Sequence, residues 1–110
     1  MNVTITALEA YLHHQYGEGA DPQGLFMKLV EEMGEIAEVL NRRTGRKASD
    51  GRDLDAELGN ELADLIHYAV AIAAVTGLDL NRIILDKDRR ASEKYHHDIN
   101  LEQFISDLPR

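Results

Sequence analysis

The sequence predicts an all-α fold arranged as a four-helix bundle, and three observations lead to this prediction. Apolar residues recur at three- and four-residue intervals, the spacing of amphipathic helices. Only two prolines occur among the 110 residues, and aromatic residues make up only 5%. Apolar residues make up 44%, which excludes general disorder. We expect a single domain over residues 1–110, with a core at about 22–95 and a tail at 96–110.

The ends of the first two helices are marked by residues that start or stop a helix. The first helix is expected over about residues 4–15, before the glycines at positions 17 and 19. Asp21 is a good N-cap residue, and Pro22 suits the first position of a helix. The second helix should therefore begin at Pro22 and continue to about Arg43.

Similar signals delimit the rest of the chain. Asp53 can cap a third helix that continues to about Thr76, where Gly77 ends it. Asp79 can cap a fourth helix over about residues 80–94. Asn100 can then cap a short amphipathic segment, which should pack on the domain or on a neighbouring molecule.

The second helix carries two carboxylates at or beside its apolar face. Each helical residue turns the side-chain direction by about 100°. With Leu25 at zero, the apolar stripe includes Ile36 near ~20°, Leu40 near ~60° and Val39 near ~320°. Glu32 falls near ~340° and Glu35 near ~280°. Glu31 and Glu38 are expected to point away. Acidic residues are rarely placed on a buried stripe, so the position of Glu32 is a functional signal.

The third helix repeats this pattern. With Leu54 at zero, Glu61 falls near ~340° and Asp64 near ~280°. If the two helices pack antiparallel, a local pseudo-twofold axis brings all four carboxylates to one depth. Such a cluster is costly unless a cation lies within it. Oxygen ligands without cysteine favour a hard divalent cation, so we expect Mg²⁺, with Mn²⁺ as a substitute.

These residues also carry a family resemblance. The segments EEMGE at residues 31–35 and ELAD at residues 61–64 resemble the EExxE…ExxD signature of the MazG-like, all-α nucleoside triphosphate pyrophosphohydrolases. The similarity extends over about residues 25–94. It implies cleavage of a (deoxy)nucleoside triphosphate between the α and β phosphates, possible house-cleaning of non-canonical nucleotides, and a homodimer or homotetramer.

The resemblance also implies roles for individual residues. Glu32, Glu35, Glu61 and Asp64 would be catalytic metal ligands. Glu31 is a further catalytic candidate that orients the attacking water or acts as general base, completes a further metal site, or stays in solvent. Basic residues would contact the phosphates, and the candidates are Lys28, Lys87, Arg90 and Lys94. Lys87 falls within the apolar stripe of the fourth helix, near ~340° from Leu80, so we expect it on the buried side.

Basic, aromatic and histidine residues are further candidates for a nucleotide or metal site. A basic cluster follows the second helix and either binds phosphates or is simply part of a solvated loop. It consists of Arg42, Arg43, Arg46 and Lys47. Tyr11, Tyr16, Phe26 and Tyr68 are candidates to stack on a base, although aromatic residues at helical spacing are more often core. His67, three residues after Asp64, resembles half of a di-iron motif. The other half is absent, and His67 points near ~220°, off the stripe.

Charge and composition narrow the class of partner. A net charge of −8 argues against nonspecific nucleic-acid binding, which needs a basic surface. The N-terminus lacks the features of a signal peptide. The apolar segment over residues 62–78 is expected to be too short and too polar to cross a membrane. We therefore expect a cytoplasmic protein.

The apolar surface of the third helix predicts a homo-oligomer, because it extends beyond the central stripe. The residues beyond the stripe are Ala63, Ala69, Val70, Ala71, Ala73 and Ala74. Two other functions stay open. One is phosphoribosyl-ATP pyrophosphohydrolase, on a related fold, and the other is a non-catalytic, metal-binding interaction or regulatory module.

Overall fold

The computed structural model describes residues 1–45 and 53–109, and within these ranges it contains five helices and no strand. The helices are α1 (Ile5–Tyr16), α2 (Pro22–Arg43), α3 (Leu54–Thr76), α4 (Leu80–Lys94) and α5 (Leu101–Ser106). The all-α prediction is confirmed for this part of the chain, and each predicted helix begins and ends within a residue or two of its expected position.

The predicted helix caps are present. The side chains of Asp21, Asp53 and Asp79 each accept a hydrogen bond from a backbone N–H in the first turn of α2, α3 and α4. Asn100 forms a capping box with Gln103 at the start of α5. Gly77 ends α3 with a φ of 74°, a left-handed conformation that favours glycine. Local sequence signals thus determine where these helices start.

The described chain consists of two compact units, Met1–Leu78 and Asp79–Arg110. In the first unit, α2 and α3 form the most extensive helix pair, and α1 packs against α3. In the second unit, α5 packs against α4. The expectation of a single domain over residues 1–110 stays a prediction.

Helices α2 and α3 run antiparallel. At the end of α2, Arg43 Nε donates a hydrogen bond to Asp55 Oδ1 at 2.9 Å, which joins it to the first turn of α3. Near the other end of the pair, Leu25 of α2 and Tyr68 of α3 line the same cavity. Glu32 and Glu61 meet between these two points. The antiparallel arrangement on which the pseudo-twofold argument depends is therefore present.

The core of the first unit differs in part from the predicted stripes. Leu25 and Val39 of α2 are buried as expected, but Leu40 is 41% exposed. The residues with the least exposure are Leu12 of α1 and the α3 residues Val70, Ala71, Ala73 and Ala74. The chain itself buries these four α3 residues, whereas Ala63 and Ala69 are exposed. The homo-oligomer stays a prediction, but these four residues do not support it. The sequence pattern of α3 did not reveal that α1 packs along it.

The composition of α3 also passes a simple test for a membrane span. Its 23 residues are long and apolar enough to cross a bilayer by length and composition alone, contrary to the expectation for residues 62–78. The core helix of a soluble protein passes the same test. In the first unit α3 packs against both α1 and α2, and 22% of its apolar segment is buried there.

Candidate metal and nucleotide site

Three of the four predicted metal ligands converge between α2 and α3. One carboxylate oxygen from each of Glu32, Glu61 and Asp64 lies within 4.8 Å of the other two. Glu61 and Asp64 are three positions apart, so they lie on the same side of α3. Glu32 approaches them from α2. Oxygen atoms at this separation can bind one divalent cation between them.

Two buried carboxylate oxygens of the cluster have no hydrogen-bond partner within residues 1–45 and 53–109. The Oε2 atoms of Glu32 and Glu61 are buried, and no donor from the described residues reaches either atom. A buried carboxylate oxygen without a partner is costly, because it has lost its water and gained nothing in exchange. A positively charged ligand would remove this cost.

Glu35, the fourth predicted ligand, interacts electrostatically with the cluster. A side-chain hydrogen bond with Glu32 raises the pKa of Glu61. The pKa of Glu35 is raised in turn, first by a side-chain hydrogen bond with Glu61 and second by the negative charge of Glu61. Neighbouring carboxyl groups share protons in this way because like charges at close range disfavour ionisation. Glu35 is itself exposed and lies at the edge of the cluster.

A cavity of about 610 Å³ opens beside the acidic cluster. It is lined by Glu31, Gly34, Glu35, Glu38, Val39, Arg42, Glu57 and Glu61. Glu31 and Glu38, which were predicted to point off the apolar stripe of α2, therefore line the cavity rather than open solvent alone. The predicted apolar stripe describes only the side of α2 that faces the core. The cavity instead opens along the flank of the α2–α3 pair, and Glu31, near ~240° from Leu25, lies on that flank.

Arg42 is the member of the predicted basic cluster that lines this cavity. Its side chain is only 20% exposed, and its Nη2 lies 3.1 Å from Glu38 Oε1. Its Nε is buried and has no hydrogen-bond partner among the described residues. Arg43 instead pairs with Asp55 on the surface. Arg46 and Lys47 lie outside the described residues.

A second cavity, of about 340 Å³, lies at the opposite side of the acidic cluster. It is lined by Tyr16, Ala20, Asp21, Gly24, Leu25, Lys28 and Tyr68. Lys28 precedes Glu32 by four residues, and Tyr68 follows Asp64 by four residues. The cavity is therefore about one helical turn, roughly 5–6 Å, from the acidic cluster on both helices. Of the four aromatic candidates, Tyr11 and Phe26 are more than half exposed and do not line it.

The structure reveals a contact that the sequence reasoning missed. The hydroxyl of Tyr16, on α1, forms a 2.7 Å hydrogen bond with Nε2 of His67, on α3. Burial raises the pKa of Tyr16, with a further contribution from Tyr68. The two partners are 51 positions apart, so only the packing of α1 against α3 could have indicated the pair.

Comparison with known proteins agrees with this geometry. The family model of the MazG nucleotide pyrophosphohydrolase domain matches residues 20–97. The chain belongs to this family. The matched residues include all four predicted ligands and every residue that lines the two cavities except Tyr16. The match supports nucleotide pyrophosphohydrolase activity.

One curated relative supports the same class of enzyme. The MazG-family chain is 33% identical over 95 residues to dCTP pyrophosphatase 1 of Rattus norvegicus. The match covers 81% of this chain but only 55% of the rat protein. No solved structure matches the chain significantly.

The basic residues expected on α4 of this MazG-family chain belong to the second unit. Lys87, Arg90 and Lys94 are all exposed, so the prediction that Lys87 lies on the buried side was wrong. The predicted stripe of α4 is itself largely open, with Ile83 41% and Ile84 37% exposed. A role for these three residues in phosphate binding stays a prediction. Lys28 differs from them because it lines a cavity beside the cluster.

Proposed function

We propose that the protein is a metal-dependent nucleoside triphosphate pyrophosphohydrolase that releases a nucleoside monophosphate and pyrophosphate. The observation that carries this proposal is the convergence of Glu32, Glu61 and Asp64 within 4.8 Å. Buried oxygens of Glu32 and Glu61 have no donor in the part of the chain that the structure describes. Membership of the MazG family supports the reaction class.

The donor set fits Mg²⁺, with Mn²⁺ as a substitute. All four proposed ligands, Glu32, Glu35, Glu61 and Asp64, offer hard carboxylate oxygens. When bound, the cation neutralises charge on the triphosphate and favours ionisation of a coordinated water. Its arrival would also offset the carboxyl–carboxyl hydrogen bonding and the repulsion that together raise the pKa of Glu35 and of Glu61.

The two cavities suggest how the substrate lies. We propose that the base and sugar occupy the smaller cavity, between Tyr16 and Tyr68, because aromatic rings there can pack against a base. Lys28, on the rim of that cavity, would contact the α-phosphate. The β- and γ-phosphates would then extend over the acidic face into the larger cavity, where Arg42 can bind the leaving pyrophosphate.

Glu31 is placed to assist the attacking water. Its side chain is 60% exposed, pairs with Lys28 at 3.5 Å and lines the larger cavity with Glu35 and Glu61. In the proposed reaction, the water oxygen bonds to the α-phosphorus as the bond to the α–β bridging oxygen breaks. Glu31 accepts the proton from that water, and pyrophosphate leaves with the electron pair of the broken bond.

A homo-oligomer forms part of the proposal. Large apolar side chains of α2 and α3 are 40–60% exposed on the first unit. They include Met27, Val30 and Met33 on α2, and Leu62 and Ile66 on α3. Met33 and Leu62 are equivalent under the 29-residue offset that relates the two motifs. We propose that a second copy of the chain covers this surface, giving a dimer or a tetramer.

Pyrophosphate release tests the proposed function. The substrates are canonical and modified ribo- and deoxynucleoside triphosphates, with dCTP included because the rat relative is named for it. Each is assayed with Mg²⁺, with Mn²⁺ and with chelator. We expect metal-dependent release of pyrophosphate and monophosphate in equal amounts. Turnover of phosphoribosyl-ATP alone would favour the histidine-biosynthesis alternative. Metal binding without turnover of any compound would favour a non-catalytic module, and either result would overturn the proposal.

A further inference from the structure

We infer that His67 is a positioning residue for base recognition, which holds the two aromatic walls of the smaller cavity in place. This inference rests on the proposed function, because it takes that cavity as the base site. It assigns to His67 a role distinct from the di-iron ligation that its spacing from Asp64 suggests.

His67 contacts both aromatic walls. Its Nε2 forms the 2.7 Å hydrogen bond with the Tyr16 hydroxyl, and the two rings meet edge to face with centroids 5.8 Å apart. The Tyr68 ring lies 4.9 Å from the His67 ring, at an interplanar angle of 76°. His67 itself does not line the cavity. It therefore supports both rings from behind, as a positioning residue does.

Tyr16 needs such support because of its place in the chain. It is the last residue of α1, and Gly17 follows with a φ of 71°. Helix ends fray, so the backbone alone fixes the Tyr16 ring poorly. The bond to His67 ties this end of α1 to α3, which also carries Tyr68. Without it, the Tyr16 ring is free to turn and the shape of the cavity is less well defined.

The contacts of His67 separate this role from a catalytic one. Within the described residues, its hydrogen bond and both of its ring contacts involve the two tyrosines. Loss of the imidazole should therefore weaken nucleotide binding and discrimination between bases while leaving the acidic cluster intact. A hydrogen bond of this kind corresponds to a change of about three- to tenfold in KM.

The experiment compares His67→Leu, His67→Gln, Tyr16→Phe and the His67→Leu/Tyr16→Phe double variant with the unmodified protein. KM and kcat are measured on each triphosphate that is turned over, and calorimetry measures binding of dCMP, dTMP, dAMP and dGMP without metal. We expect His67→Leu to raise KM three- to tenfold, to leave kcat within about twofold and to reduce the preference among bases. His67→Gln, which keeps a hydrogen-bonding group, should recover part of the loss.

The double variant tests whether His67 acts through Tyr16. Adding His67→Leu to Tyr16→Phe should change KM much less than His67→Leu does alone. His14→Leu, at an exposed histidine of α1, serves as the matched control and should change neither KM nor base preference.

Several outcomes would overturn the inference. They are an unchanged KM in His67→Leu, a fall in kcat at constant KM, and full additivity in the double variant. Failure of the proposed function is a separate result, because it appears as absence of turnover in the unmodified protein. In that case the monophosphate titrations decide: weaker binding by His67→Leu supports the inference, and equal or undetectable binding overturns it.

Discussion

The clustered carboxylates between α2 and α3 and the paired carboxylates of α4 and α5 have opposite surroundings in this protein. In the second unit, Arg89 lies 3.2 Å from both Asp86 and Glu102. Asp88 Oδ2 accepts a 2.7 Å hydrogen bond from the backbone N–H of Leu101, at the start of α5. These acids have basic or N–H partners, and together they fasten α5 to α4.

The acids between α2 and α3 face one another instead. Buried oxygens of Glu32 and Glu61 lack a donor among the described residues, and the pKa of Glu61 is raised by its neighbour Glu32. The pKa of Arg89 is also raised, by Glu102, but for a base this favours the charged form. The charged state is thus stabilised in one region and destabilised in the other. The paired acids of α4 and α5 hold the fold together, whereas the arrangement of Glu32, Glu61 and Asp64 suits a ligand.

The largest expected effect comes from neutralising Glu32 and Glu61, the two acids with buried oxygens in the cluster. The double variant Glu32→Gln/Glu61→Gln should lose turnover by more than about a hundredfold, because it removes two proposed metal ligands. Its melting temperature in chelator should be equal to or higher than that of the unmodified protein, since it also removes repulsion. Steady-state assays and thermal denaturation measure both quantities. Glu102→Gln is the matched control and should retain turnover. Full turnover in the double variant would remove this assignment.

Metal binding should stabilise the first region specifically. A ligand at a hundred times its Kd stabilises the folded state by about 2.7 kcal/mol, which raises the melting temperature by roughly 10 °C in a domain of this size. Mg²⁺ at saturating concentration should produce this shift in the unmodified protein and in Glu102→Gln, but not in the double variant. Calorimetric scans with Mg²⁺ and with chelator measure the shift. An equal shift in all three proteins would place the cation elsewhere.

The pH dependence of the chelated protein follows from the raised pKa values of Glu35 and Glu61. These two carboxyl groups bind protons at a higher pH in the folded protein than in the unfolded chain. Above the raised pKa values the carboxyl groups are charged, and the repulsion between them and their acidic neighbours destabilises the fold. This cost is lost as the pH falls through them. We therefore expect Glu61→Gln to be more stable than the unmodified protein at pH 7 and equally stable near about pH 4. Denaturant unfolding across this range measures the difference, and an advantage that grows as the pH falls would have the wrong sign.

The smallest effect is expected in the second region. Asp88→Ala removes the hydrogen bond to the Leu101 N–H and should lower the stability of the α4–α5 contact by about 0.5–1.5 kcal/mol. Turnover should stay within about twofold. Hydrogen exchange at residues 101–106 detects the loosening of α5. A loss of turnover comparable to that of the acidic double variant would show that the two regions are not functionally distinct.

Local signals allowed most of the fold to be predicted. Asp21, Asp53 and Asp79 mark helix starts by chemistry that acts within one turn, and these positions were correct. The place of Glu32 and Glu61 in a shared cluster followed from helical phase together with antiparallel packing. Both arguments require only one helix or one helix pair.

Predictions that depended on a third element were less successful. The packing of α1 along α3 buries Val70 and brings Tyr16 to His67, and no spacing within either helix indicates it. Lys87 was placed on a buried side by its phase in α4, yet the stripe it shares is largely exposed. Helical phase identifies a face of a helix but does not determine what covers that face.

The central claim is that the acids between α2 and α3 hold a divalent cation. Titration with Mn²⁺, followed by electron paramagnetic resonance, tests it most directly, because free and bound Mn²⁺ are counted without any substrate. We expect at least one Mn²⁺ per chain in the unmodified protein and in Glu102→Gln, with competition by Mg²⁺, and a loss of that binding in Glu32→Gln/Glu61→Gln. Absence of bound Mn²⁺ from the unmodified protein, or unchanged binding in the double variant, would contradict the account.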